Sequence, residues 1–299
     1  MALPLPRSLS PSKVSSFTDC ALAFRFSAID RLPEPTSPHT VKGTLVHSAL
    51  ERLFWDHAPG ERSAAAHGAL DDAWRALEGD PELEELGLEP EHRRAFVADA
   101  HGLVDNYLRL EDPDAVNAVG VELSLEANIG GPRLRGIIDR LDLDDDGELV
   151  VVDYKTGRVP SENNERSRLG GVHFYALLCE SVLGRRPSRV RLLYLRGPLS
   201  IEAVPSEQSL RGSERRAGAV WTAIERACES EDFRPKPSGL CAWCHFQSRC
   251  PAFGGAPTSD KGPDASGPPD GAAHSRQAEP RAQLGPVDIV SLDNHLYDH

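Results

Sequence analysis

Residues 148–157 read ELVVVDYKTG, and this short stretch decides the fold. The apolar run from Leu149 to Val152 is typical of a strand that is buried in a sheet. Asp153 and Lys155 follow it two residues apart, and residues i and i+2 of a strand point to the same face. The stretch therefore predicts a buried strand that brings a carboxylate and an ammonium group to one side of a sheet.

The segment before this strand completes a hairpin. Residues 133–143 read RLRGIIDRLDL and are followed by an Asp-Asp-Asp-Gly turn. If the last three turn residues form the loop, Asp139 faces Asp153 across the hairpin. Opposed carboxylates repel each other, and a divalent cation such as Mg²⁺ or Mn²⁺ removes that repulsion. We therefore expect a metal site at the two acids, with Lys155 beside it to orient a water molecule or offset charge. A surface hairpin with solvated charges is the alternative, and the apolar neighbours of both acids weigh against it.

Composition sets broad limits on the class of protein. The chain has 299 residues, is 39% hydrophobic and carries a formal charge of −13. These values suit a soluble globular protein and argue against a general nucleic-acid coat protein, although a basic cleft on an acidic body stays possible. We expect no membrane span, because no apolar run reaches about 18 residues. The N-terminus lacks the apolar segment of a secretion signal, so we expect a cytoplasmic protein.

Hydrophobic periodicity predicts a mixed α/β core that is preceded by a helical elaboration. Gly, Pro, Ala and Asp dominate after residue 254, which predicts a disordered tail over 254–299. The predicted helices cover 11–29, 40–57, 62–78, 90–110, 164–183 and 206–231. The predicted strands cover 118–126, 133–143, 148–154, 189–196 and 199–204.

The hairpin motifs GIIDRLDL and ELVVVDYKTG, together with KGTLVHSALE upstream, resemble the PD-(D/E)XK nuclease superfamily. The resemblance is to its RecB/AddB-like exonuclease branch and covers roughly residues 9–253. It implies a restriction-endonuclease-like core with a mixed sheet and elements in the order αβββαββα. An N-terminal tail at 1–8 would precede this core, and a helical insertion would cover about 58–112. It also implies that His47 ligates the catalytic metal with Asp139 and Asp153, and that Lys155 assists the attacking water.

Other positions match the family less completely. Tyr175 in GGVHFYALLCE matches the tyrosine of the helix that follows the lysine strand. Gly171 stands where that helix usually has a glutamine, which weakens any inference about substrate contacts there, and the proline of the nominal motif is absent. Glu122 on the preceding strand is a further candidate ligand, with a solvent-facing strand residue as the equal alternative.

The implied activity is that of a Mg²⁺- or Mn²⁺-dependent deoxyribonuclease, an exonuclease of DNA repair or recombination. Its substrate would be DNA with a free end or a single-stranded region. The chain lacks a G-x-x-x-x-G-K-[ST] loop, so a helicase would be a separate partner. The alternatives are a catalytically idle DNA-end-binding module and the nuclease subunit of a helicase complex. Four arginines are candidate phosphate contacts, with ordinary surface charge as the equal alternative: Arg185, Arg186, Arg211 and Arg215.

The six cysteines include a cluster near the end of the core. CAWCHFQSRCP supplies Cys241, Cys244 and Cys250 as C-x2-C-x5-C-P, and Cys20 in FTDCALAFRF is the candidate fourth thiolate. Four thiolates suit a [4Fe–4S] cluster or a structural Zn²⁺ ion. The separated layout resembles that of the AddB-like iron–sulfur nucleases and favours the cluster. A zinc-stapled interaction protein is the corresponding alternative. Cys179 and Cys228 lie in predicted helices and are expected to be packed thiols.

Overall fold

The computed structural model describes residues 2–159 and 162–256, so the predicted disordered tail lies almost wholly outside the described residues. The helices are α1 (Pro11–Asp19), α2 (Ala21–Phe24), α3 (Pro38–Asp56), α4 (Arg62–Leu77), α5 (Pro81–Glu85), α6 (Pro90–Leu110), α7 (Glu162–Leu183) and α8 (Glu207–Ser230). The strands are β1 (Ala118–Asn128), β2 (Arg133–Leu143), β3 (Leu149–Lys155), β4 (Arg189–Tyr194) and β5 (Leu199–Ala203). Short 3₁₀ turns at 239–243, 247–249 and 251–253 follow α8.

The five strands form one mixed sheet in the order β1-β2-β3-β4-β5. β3 and β4 are parallel, and the other neighbouring pairs are antiparallel. The parallel pair needs a crossover connection, and α7 supplies it. This is the predicted αβββαββα order of a restriction-endonuclease-like core, and it places β3 at the centre of the sheet.

Helices cover both faces of the sheet, which explains why β3 is apolar on both sides. Val151 belongs to a core that contains residues of α1, α2, α7 and α8. Val150 and Val152 belong to a second core that contains residues of α3, α4 and α6. A strand that is covered on both faces reads as a continuous apolar run, and this is the pattern from which the strand was predicted.

The N-terminal helix differs from its prediction. The apolar pattern of 11–29 predicts one helix, but the chain leaves α1 at Cys20, which has extended dihedral angles (φ −159°, ψ 110°). It then resumes as α2 and a π-helical turn at Arg25–Ile29. The apolar residues on the two sides of Cys20 keep the spacing of a single helix, so the sequence pattern does not reveal the break. The break matters because it sets the position of the Cys20 side chain.

The described helices include none that combines the length and the apolar character that crossing a bilayer requires.

Candidate active site

The predicted hairpin register is present and brings the two acids to the end of the β2–β3 ladder. Arg140 pairs with Val152, and Asp139 and Asp153 are the next residues along the two strands. The backbone N–H of Tyr154 donates a 2.7 Å hydrogen bond to Asp139 Oδ2. One carboxylate oxygen of Asp139 is therefore fixed to β3, and the other is left for a further partner.

That further partner is a histidine on α3. His47 Nδ1 lies 3.5 Å from Asp139 Oδ1. His47, Glu122 and Asp139 each offer a ligand atom within 4.8 Å of the others, and they form the one such group of three among the described residues. The predicted contact of His47 with the acidic hairpin is therefore present, and Glu122 belongs to the same group.

Glu122 joins this group through an unusual backbone conformation. Its φ is +46°, in the left-handed region. The β1–β2 ladder pairs the residues on either side of Glu122 but leaves Glu122 itself out. Such strain costs on the order of 1–3 kcal/mol and clusters at functional sites. The alternation of apolar and polar residues in a strand does not indicate a positive φ. The sequence alone therefore predicted a metal ligand and a solvent-facing residue equally well at Glu122.

Asp153 has a different immediate partner. It is buried, with 4% of its surface exposed, and forms an ion pair with Lys155 on the same face of β3. The structure therefore divides the predicted site into two adjoining parts. Asp139 lies with His47 and Glu122, and Asp153 lies with Lys155.

The pKa values show how closely these groups interact. Burial lowers the pKa of His47, but the neighbouring carboxylates, Asp139 above all, outweigh it and raise the pKa to about 9. Burial and the charge of Asp139 raise the pKa of Glu122 to about 7. Burial, followed by the charge of Asp139, also raises the pKa of Asp153, against the opposing effect of Lys155. Against the effect of burial, the charge of His47 lowers the pKa of Asp139. Glu122 and Asp153 are therefore the carboxyl groups that do not ionise freely beside Asp139 without a cation.

This excess of negative charge fits a divalent metal ion. Once His47 has lost its proton and Glu122, Asp139 and Asp153 are ionised, the three carboxylates face one ammonium group, that of Lys155. Two negative charges are then left for a cation to compensate. Carboxylate oxygens and an imidazole are ligands that Mn²⁺ accepts, and carboxylates suit Mg²⁺. The residues present therefore fit the metal that the resemblance implies, with His47, Glu122 and Asp139 as the group that would hold it.

We expect metal binding to strengthen with pH. A bound ion needs neutral His47 and ionised Glu122, so binding below their pKa values must release protons. One proton released by His47 between pH 7 and pH 9 makes the dissociation constant for Mn²⁺ fall by up to about tenfold per pH unit. Calorimetric titration at several pH values measures this slope. The same slope in His47→Ala, or no slope in the natural protein, would contradict the assignment.

Tyr175 on α7 lies close enough to the acids for their charges to act on it. Burial and the charges of Asp153 and Asp139 raise its pKa well above the usual value. Its ring packs on β2 at Gly136, where an added Cβ would come within 3.0 Å of the ring. Gly136 therefore permits the close approach of Tyr175 to the hairpin.

Gly43 has the same role for α3. A Cβ at Gly43 would lie 3.3 Å from Thr156 Oγ1, in the segment directly after β3. The glycine of KGTLVHSALE thus lets α3 approach the end of β3. This contact helps to place His47, which lies further along α3, against the acids.

Sequence reasoning missed a buried ion network behind the site. Arg140 is fully buried, and its guanidinium donates hydrogen bonds to the carboxylates of Glu111 and Asp142. The two bonds to Asp142 measure 2.8 and 2.9 Å. A further bond of 2.8 Å reaches the Tyr154 hydroxyl. The Tyr154 ring meets the His47 ring edge-on, with 5.9 Å between their centroids. Tyr154 therefore contacts two candidate metal ligands, Asp139 through its backbone N–H and His47 through its ring. Arg140 fixes the Tyr154 hydroxyl.

Three of the four candidate phosphate-binding arginines contact partners outside this site. Arg185 donates to the Gly147 carbonyl in the β2–β3 turn, six residues before Asp153, or about 20 Å along an extended chain. Arg186 forms an ion pair with Glu180, and Arg211 forms one with Glu207. Arg215 is exposed on α8. Contact of the four arginines with DNA stays a prediction.

The four candidate thiolates line one pocket of about 460 Å³ between the N-terminal helices and the segment after α8. Burial raises the pKa of Cys244, and the charges of Cys20, Cys241 and Cys250 add to the effect. The Ser238 N–H donates to Cys241 Sγ at 3.3 Å. The structure therefore brings together residues that are 221 positions apart.

The remaining two cysteines are packed thiols, as predicted. Cys179 lies in α7 and Cys228 in α8, and both are buried. Burial raises the pKa of Cys179 to about 12, which makes it a poor thiolate ligand.

The mixed sheet, with an acid and a lysine at the end of its central strand, defines the restriction-endonuclease-like class of α/β proteins. The sequence model of the PD-(D/E)XK nuclease superfamily matches residues 8–251. This chain belongs to that superfamily and is a nuclease by family.

One protein similar in sequence and one similar in structure show how far the similarity extends. The Gene 69 protein of Mycobacterium phage L5 is 24% identical over 289 residues, which cover 82% of this chain and 96% of the phage protein. A crystal structure described as that of a candidate exonuclease from Eubacterium rectale superposes with a TM-score of 0.54 at 12% identity. That match covers 80% of this chain and 88% of the other, and at this identity it shows the fold alone.

Proposed function

We propose that this protein is a Mg²⁺- or Mn²⁺-dependent DNA exonuclease of the RecB/AddB-like branch. The observation that carries the proposal is the convergence of His47, Glu122 and Asp139 beside the Asp153–Lys155 pair at the open end of β2 and β3. The helix α3 and the strands β1, β2 and β3 each supply one part of this site. We also propose a role in DNA repair or recombination and a separate helicase partner, because the resemblance implies both. The cytoplasmic location and the domain bounds are proposals as well.

The residues divide the work of phosphodiester hydrolysis between them. A bound dication would polarise the scissile phosphate and lower the pKa of a water molecule. His47, Glu122 and Asp139 would hold that ion. Lys155 projects from the same face as Asp153 and is 37% exposed, so it can meet the phosphate or the water. Tyr154 keeps Asp139 in place through its N–H. Burial of Asp153 limits the access of solvent to its carboxylate.

The cysteines support a [4Fe–4S] cluster better than zinc. The four candidate thiolates line one pocket, and Cys₄ ligation is usual for such a cluster. The separated layout of Cys20 and the C-x2-C-x5-C-P segment, which resembles that of the AddB-like iron–sulfur nucleases, favours the cluster over zinc. Such a cluster would tie the break at Cys20 to the segment after α8.

An end-labelled degradation assay tests the proposed function. Linear DNA labelled at the 5′ or 3′ end is incubated with anaerobically purified protein and Mg²⁺, Mn²⁺ or chelator. We expect metal-dependent shortening of linear DNA, while closed circular DNA stays intact. The label that is released first gives the polarity. Cleavage of the closed circle would indicate an endonuclease, and intact linear DNA with both metals would favour the idle end-binding module.

Replacement of Cys20 tests the cluster. We expect the anaerobically purified protein to be brown and to contain about four iron atoms. Cys20→Ser should lose most of this iron and the visible absorption, because three thiolates do not complete the cluster. Cys179→Ala removes a cysteine outside the pocket and should keep the iron, so it is the matched control. A colourless protein with one zinc ion per chain would overturn the cluster assignment.

A further inference from the structure

The helices α4 and α6 carry the same short motif on surfaces that face each other. Residues 67–71 read HGALD, and residues 101–105 read HGLVD. The helices are antiparallel, since Trp74 near the end of α4 packs against Phe96 near the start of α6, while Ser63 at the start of α4 contacts Asp112 beyond the end of α6. The two motifs therefore cross with approximate twofold symmetry, outside the site described above.

The side chains of the two motifs are interlocked. His67 Nδ1 lies 2.8 Å from His101 Nδ1, and the ring centroids are 5.1 Å apart. His67 Nε2 lies 3.0 Å from Asp105 Oδ1, and His101 Nε2 lies 3.0 Å from Asp71 Oδ1. Each histidine thus contacts the carboxylate of the other motif and turns its second ring nitrogen towards the other histidine.

This arrangement needs a positive charge between the rings, which either a metal cation or a shared proton supplies. A carboxylate accepts from an N–H, so Asp105 and Asp71 each fix a proton on Nε2. The neutral form of each imidazole then presents a lone pair at Nδ1, and two lone pairs 2.8 Å apart repel each other. A histidine that donates one N–H to a carboxylate and offers the other nitrogen is the usual form of a metal ligand.

The surroundings leave room for an ion. The side chains of the four polar residues are between 28% and 56% exposed, so solvent reaches them. Each motif also has a glycine after its histidine, although glycine weakens a helix interior. A Cβ at Gly68 or Gly102 would meet nothing within 4 Å, so packing does not explain either glycine.

We propose that His67 and His101 form a second metal site, for a d-block cation such as Zn²⁺, which clamps α4 to α6. The two Nδ1 atoms bind the ion, Asp105 and Asp71 orient the imidazoles, and water completes the coordination. Zn–N bonds of about 2.05 Å at a tetrahedral angle place the nitrogens about 3.3 Å apart, so the pair opens by about half an ångström. The chemistry differs from that of the nuclease site, where oxygen ligands dominate.

Calorimetric titration with Zn²⁺ in excess Mg²⁺ tests this site, because Mg²⁺ competes with Zn²⁺ for the nuclease acids and the variants below isolate the second site. The protein is purified anaerobically, and variants are compared at equal iron content. We expect His67→Ala/His101→Ala to bind one Zn²⁺ fewer per chain than the natural protein. Asp71→Asn/Asp105→Asn should bind this Zn²⁺ about 10- to 100-fold more weakly, because it removes only the orienting carboxylates.

His92→Ala removes an exposed histidine of α6 and should leave Zn²⁺ binding unchanged. Circular dichroism and the unfolding temperature without Zn²⁺ establish that each variant folds. If the double histidine variant does not fold, the carboxylate variant decides the question alone. Equal stoichiometry and affinity in all variants would overturn the proposal. So would a natural protein that binds no additional Zn²⁺, in which case the pair shares a proton.

Discussion

Asp139→Ala should abolish both metal binding and DNA cleavage, with a loss of cleavage rate on the order of a thousandfold or more. Asp139 is the residue that joins the two strands and α3, since it accepts from Tyr154 and contacts His47. Its removal leaves His47 and Glu122 without their shared partner. The rate of degradation of linear DNA and calorimetric titration with Mn²⁺ measure the two effects on the same preparation.

Lys155→Ala separates catalysis from metal binding. We expect cleavage to fall by about 10²- to 10⁴-fold, because the group that assists the water is removed. Mn²⁺ binding should persist or strengthen, since the lysine is a cation that compensates the same acids. Asp145→Ala removes an exposed carboxylate in the turn of the same hairpin and is the matched control. Full cleavage activity in Asp139→Ala and Lys155→Ala would show that the hairpin is not the catalytic site.

The central hairpin could be predicted from sequence because several local signals agree there. The Asp-Asp-Asp-Gly turn fixes the register, and the apolar run after it fixes which strand is buried. The register then places Asp139 beside Asp153 without any knowledge of the rest of the fold. His47 could not be placed in this way, because its distance in sequence gives no geometry, and only the resemblance linked it to the hairpin.

Other parts of the site depend on contacts that no local pattern reports. Arg140 and Asp142 alternate with apolar residues and so read as the solvent face of a strand, but α3 and α6 cover that face. Glu122 leaves its ladder through a positive φ, which alternation does not reveal. Cys20 breaks a helix whose apolar periodicity continues on both sides. In each case tertiary packing overrides the pattern of a single segment.

Arg140→Ala should destabilise the protein by about 3–5 kcal/mol, the second large effect that we expect. The guanidinium lies between the buried carboxylates of Glu111 and Asp142 and 4.5 Å from the centre of the Phe54 ring. Removal of the guanidinium leaves the two carboxylates buried without it. Arg191 is then the remaining cation in contact with Glu111. Urea unfolding measures the loss. Arg189→Ala breaks a more exposed pair with Asp144 and should cost no more than about 1 kcal/mol.

The same replacement should also reach the active site, because Arg140 holds the hydroxyl of Tyr154. We expect the folded fraction of Arg140→Ala to bind Mn²⁺ more weakly, since Tyr154 contacts both Asp139 and His47. A triple variant, Arg140→Met/Glu111→Leu/Asp142→Leu, removes the buried charges together and should recover most of the stability. It should not recover the Mn²⁺ affinity, because the Tyr154 hydroxyl still lacks its donor. If the triple variant regains both, the network contributes to folding alone and does not position the metal ligands.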